Sequence, residues 1–231
     1  MKKIFYWSPH SSNVATIKNV INSAKSIKKF SKNDISVSII DVIGEWKEYK
    51  DFLSLQKINL LNLPGLKLNK YFPITGFIKT RLTVLLICIF KFFSLKKILK
   101  SNKPNYLILH LVTTLPLIIL LLTKSETKFV LRISGLPKLN LFRRFLWKCV
   151  ANKLFLITCP SNQTRLDLIK LNIFPENKLK VLYDPILEIS QISRDLKHKN
   201  YEIAKNKKYL LNVGRLTKQK NQIILIHAFS K

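Results

Sequence analysis

Residues 4–7 form a short apolar run, residues 8–12 are polar, and Val14, Ile17, Val20, Ile21, Ala24 and Ile27 then recur at the spacing of an amphipathic helix. A second apolar stretch, residues 35–40, predicts a strand that stops at Asp41. Strand, helix and strand at this separation predict parallel pairing through a right-handed crossover, the unit that opens a doubly wound sheet. Residues 44–73 are less regular, with Trp46, Pro64-Gly65 and Pro73 as punctuation, and predict loops with one short element.

From Lys79 the pattern turns helical. Its middle, residues 82–90, is apolar nearly all round, and Lys91, Lys96, Lys97 and Lys100 follow. Nine uncharged residues are too few to cross a bilayer. Residues 104–123 carry no formal charge for twenty positions, which meets the length of a membrane helix. Asn105 and His110 are polar, however, Thr113-Thr114 and Pro116 interrupt the run, and residues 106–111 suit a buried strand. Strand, loop and helix is the preferred reading, with a single membrane span as the alternative.

The alternation continues with strands at 128–133, 155–159 and 178–182 and helices at 142–152 and 163–171, the second capped by Ser161 or Asn162. Residues 186–206 are polar, lysine-rich and without period, and Tyr209 opens a new strand followed by a helix to Phe229. The expected fold is α/β with a Rossmann-like parallel sheet in residues 1–186, a linker over 187–207, and the first strand and helix of a second Rossmann-like domain, truncated, over 208–231.

Forty-one Lys and Arg against twelve Asp and Glu give a formal charge of +29. Such a balance points to nucleic acid or an anionic membrane surface. Only seven of the cations are Arg, the lysines are scattered, and no RNA-binding or zinc-finger signature accompanies them, so the membrane surface is favoured and nucleic acid is not expected. Cys88, Cys149 and Cys159 are odd in number and widely spaced, which indicates neither a disulfide framework nor a metal knuckle. A cytoplasmic protein follows, since the first apolar run is also too short for a signal peptide. No metal site, Ser-His-Asp order or paired carboxylates stand out.

The tail carries the most specific chemistry. An apolar run ends at Gly214, which permits close backbone approach, while Arg215 and Lys220 offer a forked guanidinium and a point charge suited to a diphosphate. Gly214-Arg215-Leu216-x-x-x-Lys220-Asn221 resembles the start of the donor domain in family 4 glycosyltransferases of the GT-B fold, where this Arg and Lys hold the diphosphate of a nucleotide sugar. Thr158-Cys-Pro-Ser-Asn-Gln-Thr-Arg-Leu-Asp-Leu168 resembles the serine-bearing strand end and helix that close the acceptor domain. Val181-Leu-Tyr-Asp-Pro-Ile186 resembles its exit, with Asp184 where Asn is common, and Arg132-Ile-Ser-Gly-Leu-Pro137 resembles the loop at the mouth of the cleft.

The resemblance implies an N-terminal acceptor-side domain of an enzyme that transfers a sugar, with retention and without a metal or cofactor, from a nucleotide-diphosphate sugar to a cell-envelope glycan or lipid-linked acceptor. The paired glutamates of the family would lie beyond Lys231, so the chain is expected to be a fragment, inactive alone. His110 would be the catalytic-site histidine that touches the transferred sugar; a hydrogen-bonded structural histidine is the competing reading. The loop over residues 8–16 lacks the glycine usual at this place, leaving Ser11, Ser12 and Thr16 to donate hydrogen bonds to donor or acceptor, or to cap the helix. His10 would face the acceptor. Arg132, Ser134 and Gly135 would border the acceptor pocket, unless Arg132 pairs with a carboxylate and Gly135 only turns the chain. Gly214, Arg215 and Lys220 would hold the donor diphosphate; a solvated basic loop is the plain alternative. Asp41 reads as a strand terminator. The lysine-rich helix around 79–100 would rest on the anionic inner face of the cytoplasmic membrane, making the protein peripheral. Against all of this stands a basic, non-enzymatic protein that binds membranes or nucleic acid.

Overall fold

Seven stretches of the chain form parallel strands. In the computed structural model they are β1 (Lys2–Trp7), β2 (Ile35–Asp41), β3 (Asn59–Asn62), β4 (Tyr106–Leu109), β5 (Lys128–Arg132), β6 (Leu156–Cys159) and β7 (Leu179–Val181). The structure describes residues 1–10, 14–31, 34–65, 77–136, 139–185, 192–193, 210–214, 216 and 220–230, with backbone alone at 77–80. Two compact units, Met1–Ile186 and Leu187–Lys231, divide the chain.

The first unit holds the whole sheet, in the order β3-β2-β1-β4-β5-β6-β7. Every neighbouring pair is parallel, with Ile4 opposite both Val37 and Tyr106. This is a Rossmann-like α/β architecture, in which chain order reverses between β1 and β4. Period-two alternation sorts the side chains. Phe5 and Trp7 join Leu107, Leu109, Phe129 and Leu131 in one core, while Ile4 and Tyr6 join Val37 and Ile39 in the other.

Helices α1 (Ala15–Phe30) and α2 (Lys50–Leu55) cover the second core; α3 (Phe77–Asn102), α4 (Thr114–Leu122), α5 (Leu141–Val150) and α6 (Asn162–Lys170) cover the first. On α1 the buried residues Ile17, Val20, Ile21 and Ala24 are those the period selects. Asn140 caps α5 by accepting from the Arg143 amide, and Ser161 caps α6 by accepting from Thr164. Residues 104–123 are β4, a loop and α4, which decides against one membrane helix; among the described residues no helix is long and apolar enough to cross a membrane.

Some boundaries move. The strand expected to reach residue 111 stops at Leu109, so His110 lies just past its end. The helix expected to residue 152 ends at Val150. In the second unit Leu210–Val213 carry no strand, because the described residues give them no neighbour with which to form a ladder; α7 (Gln222–Phe229) forms as expected but buries none of its residues.

Candidate functional site

In an open parallel sheet, ligands collect at the carboxyl ends of the strands where the order reverses. Here that place is formed by residues 8–10 after β1 and residues 110–113 after β4. Three contacts fix it. The His110 amide donates to the Trp7 carbonyl at 2.9 Å, the Trp7 ring nitrogen donates to the Val112 carbonyl at 3.0 Å, and the Tyr6 ring lies 6.0 Å from the His110 ring. Val112 adopts φ +47°, a left-handed conformation that β-branched residues resist. Strain of this kind persists only where surrounding contacts over-determine it, as the Trp7 bond does here.

Two buried polar atoms at this reversal have no hydrogen-bond partner among the described residues: Ser8 Oγ and His110 Nδ1. Ser8 is fully buried. The His110 pKa is lowered from 6.5 to about 4, chiefly by burial and then by the Arg132 charge, with Asp184 partly opposing. The imidazole is therefore neutral at pH 7, able to donate or accept a hydrogen bond but not to supply a positive charge.

His10 packs edge-on against Trp46 at 4.9 Å, and its Nδ1 lies 3.1 Å from the Ser8 carbonyl, to which it donates. Burial lowers its pKa too, with the Ser8 carbonyl and Asp41 opposing. Beneath it the turn after β2 is held by two acids. Asp41 accepts from the Gly44 amide at 2.9 Å, and Glu45 accepts from the amides of Val42 and Ile43. Burial, helped by Asp41, raises the Glu45 pKa well above its ordinary value. Asp41 is thus the strand terminator its position suggested. Lys91 of α3 is buried against this turn and donates to the carbonyls of Leu63 and Pro64. Burial lowers its pKa while Glu45 and Asp41 hold it up.

Arg132 ends β5 at the same edge, but its guanidinium is buried and engaged. It donates to Asp184 at 2.5 Å and to the Leu182 carbonyl. The competing reading of Arg132, a partner for a carboxylate, describes this geometry. Ser134 and Gly135 stand exposed in the following loop. A β-carbon on Gly135 would meet nothing within 4 Å. Thr16 sits half-buried in the first turn of α1, whose N-cap residue Val14 makes no side-chain cap bond. Ser11, Ser12 and Arg215 lie outside the described residues. In the second unit Gly214 and Lys220 come together: a β-carbon on Gly214 would lie 3.5 Å from Lys220 Cγ. Lys220 itself is exposed, and Asn221, at φ +48°, starts α7.

Sequence reasoning put His10 in the loop after the first strand, His110 at the end of a central strand and Asp41 at the end of the second strand, where the structure also has them. It missed Ser8, Glu45 and Val112. Nothing in a linear pattern marks a buried serine without a partner or a valine at positive φ.

No family model matches the chain, and no curated protein does. Solved structures do. UDP-GlcNAc 2-epimerase from Neisseria meningitidis, bound to UDP-GlcNAc, superposes with a TM-score of 0.52 at 16% identity, covering 86% of this chain and 51% of that one. The likeness establishes the fold. Anabaena HepE in complex with UDP gives 0.44 at 12% identity over 85% of this chain and 49% of that one; with UDP and glucose it gives 0.47 at 13% over 85% and 50%. The chain thus spans about half the length of the structures it matches.

Proposed function

We propose that this chain is the acceptor-side part of a nucleotide-sugar enzyme, specifically a retaining glycosyltransferase resembling family 4. The observation that carries the reading is the strand reversal between β1 and β4, edged by Ser8 Oγ and His110 Nδ1, which have no hydrogen-bond partner among the described residues. A neutral imidazole and a hydroxyl suit the hydroxyl groups of a sugar, to which each can donate or accept. The Neisseria structure with the same kind of sheet holds UDP-GlcNAc, which supports a nucleotide sugar as the ligand class.

In this reading Arg215 and Lys220, close to Gly214 in sequence, neutralise the leaving diphosphate with fixed charge and stand in for a metal. His110 touches the transferred sugar, and the exposed loop at Ser134 and Gly135, with His10, faces the acceptor. The acceptor is a cell-envelope glycan or lipid-linked saccharide. Lys96, Lys97 and Lys100, exposed on α3, draw the protein to the anionic inner face of the cytoplasmic membrane.

Thermal-shift titration with UDP and a panel of UDP-sugars tests the first step. A melting temperature that rises with millimolar ligand, and no longer rises in Arg215→Ala and Lys220→Ala, supports the reading. A flat response across nucleoside-diphosphate sugars overturns it for this chain. Product analysis of the longer protein then separates transfer from epimerisation, since only transfer links labelled sugar to an acceptor.

A further inference from the structure

Helix α3 is longer than the sheet it covers. Its tail is fixed at the amino end of the strands, where Lys3 Nζ donates to the Asn102 carbonyl. Its middle is fixed at the carboxyl end, where Lys91 Nζ donates to the carbonyls of Leu63 and Pro64 just past β3. Leu86 and Ile87 still pack against the core, so the nine residues before them, 77–85, extend about 14 Å past it at 1.5 Å per residue. Core packing agrees: the buried side chains of α3 are Ile87, Lys91, Leu95 and Leu99, and none falls at 81–86.

From the overhang to Phe93 the open side of the helix is apolar. Leu82, Leu85, Ile89 and Phe93 lie on one stripe at helical spacing and are exposed, Phe93 to 77%. The same stripe continues into Lys96 and Lys100. A second apolar group rises from the same sheet edge. At the start of α5, Leu141, Phe142 and Phe145 are exposed, Leu141 to 89%, with Arg144 and Lys148 exposed beside them. Helix α4 packs between α3 and α5, so the two groups belong to one helix layer, with axes about 20 Å apart at ordinary helix spacing. Exposed apolar surface of this extent marks an interaction site.

We propose that the exposed stripe of α3 from Leu82 to Phe93 and the start of α5 form one bilayer-inserting surface, in which their Leu, Ile and Phe side chains enter the headgroup and acyl boundary while the flanking cations meet anionic lipid. Charge selects the occupant. A second copy of a chain carrying +29 would bring lysine against lysine, whereas phosphatidylglycerol supplies opposite charge and accepts apolar side chains. The inference takes the anionic membrane partner from the reading above and adds insertion through two named helices. It also orients the molecule, because the α5 group and the leading end of the α3 stripe stand at the sheet edge that carries His110.

Flotation of the full chain with phosphatidylglycerol and with phosphatidylcholine vesicles at about 0.15 M salt tests it. The chain is expected to float with the anionic vesicles. The triple variant Leu85→Ser, Ile89→Ser, Phe93→Ser and the double variant Phe142→Ser, Phe145→Ser each keep every charge and replace exposed residues, so both should fold. Each should lose at least tenfold in partitioning. Serine variants that float like wild type would show adhesion by charge alone and overturn insertion while leaving an anionic membrane partner intact. A wild-type chain that does not float overturns both. A wild-type dimer that the serine variants convert to monomer would give the surface to a second copy and also overturn the proposal. UDP-sugar thermal shifts, read on the same proteins, report on nucleotide binding separately.

Discussion

The indole nitrogen of Trp7 donates to the carbonyl oxygen of Val112 at 3.0 Å, a bond that joins the end of β1 to the loop after β4 across the strand reversal. Val112 pays for that position with φ +47°. Trp7→Phe keeps most of the buried area and removes the donor, and should cost about 1–2 kcal/mol in urea unfolding. Val112→Gly relieves about 1–2 kcal/mol of left-handed strain and adds about 1 kcal/mol of chain entropy. Its net effect should stay within about 1 kcal/mol, whereas a glycine at an ordinary helical or strand position lowers stability.

The pair of Arg132 and Asp184 ties the end of β5 to the exit from β7. Removing the carboxylate leaves a buried guanidinium without its counter-charge. Asp184→Ala should lower stability by about 2–4 kcal/mol. Asp184→Asn retains an acceptor and should cost roughly half as much. In a double-mutant cycle with Arg132→Ala the coupling should be about 1–3 kcal/mol; an additive result would show that the pair contributes nothing specific.

His110 is held neutral, with its pKa lowered from 6.5 to about 4. Between these values the unfolded chain binds a proton that the native chain refuses. Stability is thus fully present above pH 6.5 and falls as the pH drops toward 4, by on the order of 2–3 kcal/mol if the whole shift is expressed. Denaturant midpoints of wild type and His110→Gln from pH 7 to 4.5 measure this, and the variant should show a shallower fall.

Glu45 has the opposite sign. Its folded pKa is raised, so its contribution is complete below the ordinary carboxylate range and is lost as the pH rises through the raised value. Glu45→Gln keeps an acceptor for the Val42 and Ile43 amides, should change stability by less than about 1 kcal/mol below the carboxylate range, and removes that slope. Glu45→Ala leaves the Val42 and Ile43 amides without their acceptor and should cost about 1–3 kcal/mol. Melting temperatures from pH 5 to 8 distinguish the two.

Period and punctuation along the chain determined six of the seven strands and the amphipathic character of α1, because a buried parallel strand and a one-sided helix each write their packing directly into residue order. They also placed His110 and Asp41 at strand ends. The β3 edge was hidden: Asn59–Asn62 has two apolar residues between asparagines, too brief for a period to register. Only the tertiary structure decided that Arg132 is neutralised by Asp184 fifty-two positions away, that Ser8 is buried with no hydrogen-bond partner among the described residues, and that the start of α3 runs past the core. Each depends on which elements lie side by side. Burial, partner choice and strain at Val112 are properties of neighbours in space, and a sequence specifies those only through the fold it forms.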